Sequence, residues 1–460
     1  MTFDFIPEAT RAAGLGALMK GAGLVTRFMP IPQPTLLVGP GSSARLGQAV
    51  SGFGHRKVMI VTGGFTVRGG LLTAMTDALT AGGTAYAIFD KITPDAPIPL
   101  VEEGVAFFKA NDCDAFIAFG GGSSMDAAKA MACSVANPGK PVRKLAGYFK
   151  GLNGKTAPAP IYAVPTTAGT GSEVTVAAVI ADPERSSKIV IVDTRLVPKI
   201  AALDPLLMTG LSPATTAATG MDALTHAVEA YLGNWATPAT DAMALQAVGL
   251  IFQNLRTVYS NGGDVKAREQ MALAATYAGI AFTRANVGYV HAIAHQFGGR
   301  YHTPHGLANA IVLPHILRFS APAVTDRLAQ LAVQARLHDS CGDEESLAEK
   351  FLGAVESLNR DLQIPLHLDA LKADDIPALA RAALKEAHSG YPVPRYLTQA
   401  QCEEIISRML PPAPAKAPAK AHERTAGKTE PKPAARKTAA KRTDAKKPTQ
   451  PRAPFMRGMM

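Results

Sequence analysis

A regular alternation of strand and helix patterns through the first 204 residues constrains the fold more than any other feature. Short apolar runs end in glycine or a polar turn, and each is followed by a segment with helical spacing. The runs are continuous rather than alternating with polar residues, as in parallel strands that are buried on both faces. This order predicts a doubly wound, mostly parallel α/β domain. The predicted strands are 35–39, 57–62, 84–90, 115–119 and 160–164, with helices over 71–81 and 99–111.

The pattern changes after residue 204, where β-branched runs largely disappear. Apolar residues then recur at intervals of three and four, as in 265–282 and 324–337, which predicts an all-helical second domain. We therefore predict an α/β domain over 1–204, a helical domain over 205–410 and a separate tail over 411–460. An active site is expected in the cleft between the first two domains, where ligands often bind.

The tail carries the net charge of the chain. It holds 13 of the 47 Lys and Arg but 3 of the 37 Asp and Glu, which leaves 34 of each in the remainder. Ala, Lys and Pro dominate it, and because it lacks the apolar bulk to offset its ordering entropy we expect it to be disordered. It either keeps the protein in solution or contacts nucleic acid or another polyanion through phosphates. Sequence-specific binding of nucleic acid is not expected, because the tail is almost without aromatic residues that could stack on bases.

Cysteine usage and hydropathy indicate a cytoplasmic protein. No apolar run approaches the roughly 18 residues that a membrane-spanning helix requires. The N-terminus has no continuous apolar segment, so we do not expect a signal peptide. The four cysteines, Cys113, Cys133, Cys341 and Cys402, are scattered without a CxxC pair, which fits a reducing compartment.

Two polar loops follow predicted strands and favour a bound dinucleotide. The segment GGGSSMDAAKA begins at Gly120, directly after the 115–119 strand, and its glycines let the backbone approach a ligand closely. Ser123 or Ser124 can cap the helix that follows, whose first amides suit a phosphate. The second loop, PTTAGTGSEVT over 165–175, supplies further hydroxyls and amides after the 160–164 strand. Two such loops in one α/β domain make a nucleotide site more probable than either loop does separately.

A cluster of potential metal ligands lies in the predicted helical domain. Four of the residues 288–305 are His, and a PHG segment ends the run. Asp222 and His226 are four residues apart in a helical segment, as are His291 and His295, so each pair shares one helix face. Imidazole and carboxylate are common ligands of transition metals, and two such pairs together predict a metal site.

Taken together, these segments resemble the iron-containing (group III) alcohol dehydrogenase family. The matching segments are GGGSSMDAAKA, PTTAGTGSEVT, GMDALTHAVEAY, and HAIAH with PHGLANAIVLPH, in the family's order over about residues 34–410. The resemblance implies an α/β domain followed by a helical domain, hydride transfer between a primary or small secondary alcohol and NAD or NADP, and a homo-oligomer, a dimer by default. It also implies Fe²⁺, with Zn²⁺ as the alternative, held by Asp222, His226, His291 and His305.

The resemblance assigns further residues to the cofactor. Gly121, Gly122 and Ser123 would touch its pyrophosphate, and Lys188 would reach a ribose. Asp95 matches a position near the adenosine. The three hydroxyl side chains expected to flank the nicotinamide half are Thr166, Thr167 and Thr170.

The resemblance also assigns residues around the substrate. His295 matches a His beside the metal that does not bind it, so it either relays the hydroxyl proton or orients a neighbour. Phe282 matches an aromatic residue that shapes the substrate pocket, and Arg284 and Asn286 close by are expected to make that pocket more polar.

One departure from the family pattern concerns the cofactor. Many NAD-using members carry an Asp directly after the second strand, where it accepts a hydrogen bond from the adenosine ribose. This chain has Gly63 there, followed by Gly64. Without a carboxylate to repel a 2′-phosphate, we expect NADP(H) to be accepted.

Three other interpretations stay open. A lyase of the dehydroquinate synthase kind shares this architecture but needs several Lys and Arg around the metal to hold a phosphorylated substrate, and the motifs contain few. A hydroxyacid–oxoacid transhydrogenase would keep its cofactor bound and need no free NAD(P). A non-enzymatic scaffold whose tail binds nucleic acid leaves the pattern of Asp and His unexplained.

Overall fold

Two sheets organise the first half of the chain. The computed structural model describes residues 29–151, 156–185, 187–337 and 342–412, so the predicted tail lies almost wholly outside the described residues. The strands are β1 (Thr35–Val38), β2 (Lys57–Val61), β3 (Ala85–Phe89), β4 (Ala115–Gly120), β5 (Gly147–Tyr148), β6 (Ile161–Pro165), β7 (Ala177–Asp182), β8 (Ser187–Val192) and β9 (Ile200–Leu203). Six of them form a parallel sheet in the order β1-β9-β6-β4-β2-β3, which confirms the predicted parallel arrangement.

A small second sheet was not expected from the sequence. It has the order β5-β8-β7, and β7 pairs with β8 in antiparallel register from Ala177 opposite Val192 to Asp182 opposite Ser187. β7 is rich in Ala, and its residues alternate between buried and half-buried positions. Ala is depleted in strands, which weakened the signal of β7, whereas the four-residue apolar run that ends β8 was not recognised as a strand. Besides the three strands of the small sheet, the sequence analysis missed β9, a four-residue run of Ile, Ala and Leu.

Helices cover both faces of the large sheet, as a doubly wound fold requires. The helices of this half are α1 (Ser42–Gly52), α2 (Gly64–Arg68), α3 (Thr73–Ala81), α4 (Ile98–Ala110) and α5 (Gly122–Val135). α1 and α3 pack on one face through Leu46 and Leu79, whereas α4 and α5 pack on the other through Val101 and Met131.

The second half is helical, as the spacing of its apolar residues predicted. Its helices are α6 (Pro213–Leu232), α7 (Pro238–Ser260), α8 (Val265–Ala285), α9 (Tyr289–Tyr301), α10 (His305–Ser320), α11 (Thr325–Gln334), α12 (Glu344–Asp361), α13 (Ile376–Gly390) and α14 (Gln399–Ser407). One apolar core joins them. The described residues of both halves belong to one compact unit that ends at Pro412, and a division into domains at residue 204 stays a prediction. None of the described helices combines the length and the hydropathy needed to cross a membrane.

A buried lysine fastens the second polar loop to α5. The ammonium of Lys129 donates to the carbonyl oxygens of Ser172 at 2.6 Å, Thr175 at 2.9 Å and Ala177 at 3.0 Å. It also lies 3.0 and 2.8 Å from the hydroxyls of Ser172 and Thr175. Burial lowers the pKa of Lys129 to about 8, against the attraction of Asp126 and a buried glutamate of the loop. The lysine therefore fixes the loop that follows β6 relative to the helix that follows β4.

Replacing Lys129 with Met is expected to lower the free energy of unfolding by about 3 kcal/mol or more, because several buried oxygens lose their donor. Chemical denaturation followed by circular dichroism measures this loss. The exposed Lys109 on α4 gives a matched control, and Lys109→Met should stay within about 0.5 kcal/mol of the unmodified chain. Equal stability of the two variants would show that Lys129 does not hold the loop.

Candidate active site

The two glycine-containing loops meet at the carboxyl edge of the large sheet. They follow the neighbouring strands β4 and β6, and the amide of Thr166 donates to the carbonyl of Gly120 at 2.9 Å. A Cβ on Gly121 would lie 3.3 Å from the Thr167 hydroxyl, and one on Gly122 would lie 2.7 Å from Cγ2 of a threonine three residues further along the loop, Thr170. Glycine is therefore required at Gly122 for the loops to touch. Ligands of open α/β sheets bind at this edge.

Three more of the predicted cofactor residues form a chain beside these loops. The amide of Asp95 donates to the Ser123 hydroxyl at 3.1 Å, and the Lys188 ammonium donates to the Asp95 carboxylate at 2.7 Å. Asp95 adopts a left-handed backbone, with φ of 61°. A Cβ on Gly298 of α9 would lie 4.0 Å from Nζ of Lys188, so this lysine spans the cleft towards the helical half.

Gly63 is the remaining predicted cofactor residue. It follows β2, the strand beside β4 in the sheet, and forms an isolated antiparallel β-bridge with Lys91. A Cβ at this position would lie 3.1 Å from the carbonyl of Ile92, which leaves little room on that side.

The four predicted metal ligands come together. One ligand atom from each of Asp222, His226, His291 and His305 lies within 4.8 Å of the others. Oδ1 of Asp222 lies 3.4 Å from Nε2 of His305 and 3.9 Å from Nε2 of His291, and its Oδ2 lies 3.9 Å from Nδ1 of His226. The first three residues are buried, whereas the His305 side chain is 30% exposed and marks the open side of the cluster.

The imidazoles of the cluster are held neutral. Burial lowers the pKa of His291 well below its usual value, and His226 and His305 lower it further. Burial also lowers the pKa of His305 to about 4, although Asp222 opposes the shift. For His226 burial again lowers the pKa, and Asp222 opposes it. A neutral imidazole keeps a lone pair for a cation, which is the form in which His binds metals.

A buried glutamate that the sequence analysis missed orients His291. Glu229 lies three residues after His226 on α6, and its carboxylate accepts from the amide of Val290 at 2.7 Å. Its other oxygen lies 2.6 Å from Nδ1 of His291. Burial raises the pKa of Glu229 to about 8, although backbone amides oppose this. The sequence did contain a signal for this residue. In the MDALTHAVEAY segment, Glu229 follows Asp222 by seven positions and His226 by three, so all three share one helix face.

Asn309 was also missed, and it lies at the centre of the cluster. Its amide Nδ2 donates to Oδ1 of Asp222 at 2.7 Å and lies 3.1 Å from Nε2 of His291. The same Nδ2 lies 3.3 Å from Nε2 of His305, which precedes Asn309 by one turn of α10. The position four residues after His305 in PHGLAN was the available signal.

His295 lies beside the cluster without joining it. Its ring stacks on His305 with centroids 5.3 Å apart, and its Nδ1 lies 2.6 Å from a carboxylate oxygen of Glu386. The same carboxylate accepts from the Tyr391 hydroxyl at 2.6 Å and from the amide of Gln296 at 2.9 Å. Burial raises the pKa of Glu386, but the contacts with His295 and Tyr391 hold it below its usual value.

Phe282 contacts a predicted metal ligand directly. Its ring stacks on His226 with centroids 4.2 Å apart and an angle of 17° between the ring planes. Each of the two polar residues expected beside it donates to a main-chain carbonyl. Arg284 donates to the carbonyl of Met29 at 3.1 Å, and Asn286 donates to the carbonyl of Gly390 at 2.9 Å.

Close backbone contacts join the loop edge to the cluster. A Cβ on Gly169, in the loop after β6, would lie 2.8 Å from Cβ of Thr219 on α6, one turn before Asp222. A Cβ on Gly306 would lie 2.2 Å from the carbonyl of Ala218, also on α6. Both glycines thus allow elements to approach α6 more closely than any side chain would permit.

A glycine-lined edge of a parallel sheet beside a buried cluster of one carboxylate and three imidazoles is typical of nucleotide-dependent metalloenzymes. Comparison with known families identifies the class more closely. The family model for iron-containing alcohol dehydrogenase matches residues 33–205, and that for the C-terminal part of the Fe-containing alcohol dehydrogenase family matches residues 216–410. The chain belongs to the iron-containing alcohol dehydrogenase family.

Known proteins and solved structures agree with this assignment. The chain is 38% identical to the NAD-dependent methanol dehydrogenase of Bacillus methanolicus over 83% of its own length and 99% of that protein. It is 40% identical to the lactaldehyde reductase of Escherichia coli K12 over 77% of its length and 93% of that protein. A crystal structure of 1,3-propanediol oxidoreductase superposes with a TM-score of 0.78 at 37% identity, covering 83% of this chain and 100% of that one. The expected reaction class, alcohol dehydrogenase or aldehyde reductase, is confirmed.

Replacing Gly306 with Ala is expected to weaken metal retention about tenfold or more without removing a ligand. The added Cβ would meet the carbonyl of Ala218, so α10 and His305 would move away from α6. Metal content after dialysis against a chelator series measures the effect. Gly353 on α12 gives the control, because a Cβ there meets no atom within 4 Å. Equal retention by Gly306→Ala and Gly353→Ala would contradict the prediction.

Proposed function

We propose that this chain is a metal-dependent enzyme that transfers hydride between a small primary or secondary alcohol and NAD or NADP. The single observation that carries the proposal is the convergence of Asp222, His226, His291 and His305 on one point beside the glycine loops. The contact between Gly169 and Thr219 links these two features directly. The corresponding reverse reaction is the reduction of an aldehyde or ketone.

The residues of the cluster fit a divalent cation. Nδ1 of His226 is buried and has no hydrogen-bond partner among the described residues, which is costly for a polar atom unless a ligand meets it. One carboxylate and three neutral imidazoles suit Fe²⁺ and also Zn²⁺, and we propose Fe²⁺ as the resident ion. Glu229 and Asn309 would orient the ligands through the contacts described above.

When bound, the cation would supply Lewis acidity at the alcohol oxygen, and the nicotinamide would accept the hydride. The chain supplies orientation and a site partly withdrawn from water. Phe282 packs an apolar face against His226 and limits the space beside it. His295 is our candidate for the proton relay, because Glu386 fixes its ring at a distance of 2.6 Å, although this contact also suits a purely orienting role.

The cofactor would occupy the carboxyl edge of the sheet. Gly121, Gly122 and Ser123, at the start of α5, would hold the pyrophosphate of a dinucleotide. Thr166, Thr167 and Thr170 lie in the facing loop, and the ion pair of Lys188 with Asp95 closes one side. The related methanol dehydrogenase is NAD-dependent by name. For this chain we propose that NADP is accepted as well, because Gly63 places no carboxylate after β2.

A small alcohol is the proposed substrate. The relatives are named for methanol, 1,3-propanediol and lactaldehyde, all of which are small and polar. A lyase of the dehydroquinate synthase kind would need several cations around the cluster to hold a phosphorylated substrate. Lys188, whose charge acts on His305, is already paired with Asp95. We further propose a cytoplasmic homodimer, and the described cysteines Cys113, Cys133 and Cys402 are free and buried, as a reducing compartment allows.

The decisive experiment follows near-ultraviolet absorbance of reduced nicotinamide in the purified protein. Methanol and 1,3-propanediol are offered with free NAD or NADP, lactaldehyde is offered with NADH or NADPH, and the bound metal is determined in parallel. Turnover of free cofactor with an alcohol is expected. Activity that needs an oxoacid acceptor but no free cofactor would identify a transhydrogenase instead.

His291→Ala is expected to lose bound metal and alcohol oxidation together, because it removes a buried ligand and the partner of Glu229. His302, which ends α9 outside the cluster, provides the control. His302→Ala should retain both metal and activity. An active His291→Ala protein without metal would refute the ligand assignment.

Glu386→Gln is expected to lower kcat about tenfold or more while KM and metal content stay unchanged, because the amide cannot orient and polarise the His295 ring as the carboxylate does. Steady-state kinetics with a metal assay on the same preparation test this. Glu403→Gln on α14, far along the chain from the cluster, serves as the control. A parallel fall in metal content would instead assign Glu386 to the support of the metal cluster.

A further inference from the structure

The guanidinium of Arg68 lies over the turn that follows β2. The strand ends at Val61, and the main chain turns at Gly63 and Gly64 before the short helix α2. A Cβ built on Gly64 would lie 2.9 Å from Nη1 of Arg68, so the guanidinium folds back over the turn. Neither glycine places a side chain between that guanidinium and the carboxyl end of β2.

Arg68 is available to an incoming anion, whereas its cationic neighbour is not. The side chain of Arg68 is exposed, and it forms no ion pair with any residue that the structure describes. Lys91, which bridges to Gly63, is held in a close ion pair with Glu103. That contact, followed by the charge of Asp90, raises the pKa of Lys91. Glu103 and Asp90 therefore act on Lys91, which is not free to meet an anion.

This position has a known meaning in dinucleotide folds. A carboxylate near it accepts a hydrogen bond from the 2′-hydroxyl of NAD, and an arginine nearby accommodates the 2′-phosphate of NADP. We propose that Arg68 binds the 2′-phosphate of NADP(H) and is the residue that makes this chain accept the phosphorylated cofactor. The inference rests on the dinucleotide site of the proposed function, and it names the group that recognises the phosphate.

The chemistry of the side chain suits the role. A guanidinium presents a planar fork that matches two phosphate oxygens, and its charge-assisted hydrogen bonds are stronger than those between neutral groups. ADP-ribose lacks the 2′-phosphate and should therefore not depend on Arg68.

The test measures binding of two nucleotides to the full chain by isothermal titration calorimetry. The probes are 2′-phospho-ADP-ribose and ADP-ribose, which differ only in the phosphate at issue. Arg68→Gln is expected to weaken binding of the phosphorylated probe about ten- to a hundredfold and to leave ADP-ribose unchanged. Arg56→Gln is the control, because Arg56 precedes β2 at the opposite end of the strand and pairs with Asp112 at 3.1 Å.

Three results would overturn the inference. Arg68→Gln that leaves both affinities unchanged would show that the arginine does not reach the phosphate, and equal weakening of both would show that it acts elsewhere on the nucleotide. An unmodified chain that binds ADP-ribose but not 2′-phospho-ADP-ribose would also refute it, while NAD-dependent alcohol oxidation would stand. Failure to bind either probe, without alcohol turnover, would refute the proposed function itself. Kinetics with NADP and NAD on both variants give the second readout, and only the KM for NADP should rise.

Discussion

The close packing of three elements on α6 is the constraint on which the whole site depends. This helix supplies Asp222 and His226. Its Glu229 carboxylate also accepts a hydrogen bond from an amide in the first turn of α9 and contacts His291 in the same turn. The loop after β6 approaches it at Gly169, and α10 approaches it at Gly306. Because both approaches need a missing side chain, small shifts of α6 cannot be absorbed by rotation of side chains. The positions of the cluster and of the cofactor edge are therefore set by one helix.

Burial and the Asp222 carboxylate have opposite effects on the charge of the His226 and His305 imidazoles in the cluster. Burial disfavours charge on each His, and the one carboxylate at its centre, Asp222, receives a hydrogen bond from Asn309 and lies within 4 Å of three imidazoles. Buried groups of this kind are costly unless they are hydrogen-bonded or paired with a cation. The unpartnered Nδ1 of His226 shows where the protein alone leaves a polar atom unsatisfied. Surrounding apolar packing in the helical core has to offset this cost, as functional sites commonly require.

The sequence predicted the parts of the fold that rest on local patterns. Parallel strands, the paired ligands on α6 and the His of α9 follow from periodicity, and the glycine loops follow from composition. The β7–β8 hairpin was missed because β7 is rich in Ala, a weak strand former, and because the apolar run of β8 is only four residues long. Glu386 was missed because it lies 91 residues from His295, and no local spacing indicates contact over that distance. Tertiary packing, not propensity, brings such pairs together.

Substrate preference has to arise from the shape of the cleft together with the polar groups near the cluster. Arg284 and Asn286 are still predicted to make the pocket polar: each anchors a chain segment through one main-chain carbonyl, and Arg284 keeps further N–H donors. The hydroxyl of Tyr391 is likewise committed to Glu386. Phe282 instead presents an aromatic ring beside His226. Since a methylene in an apolar pocket discriminates by only about 1–3 kcal/mol, a site lined in this way suits several small alcohols rather than one.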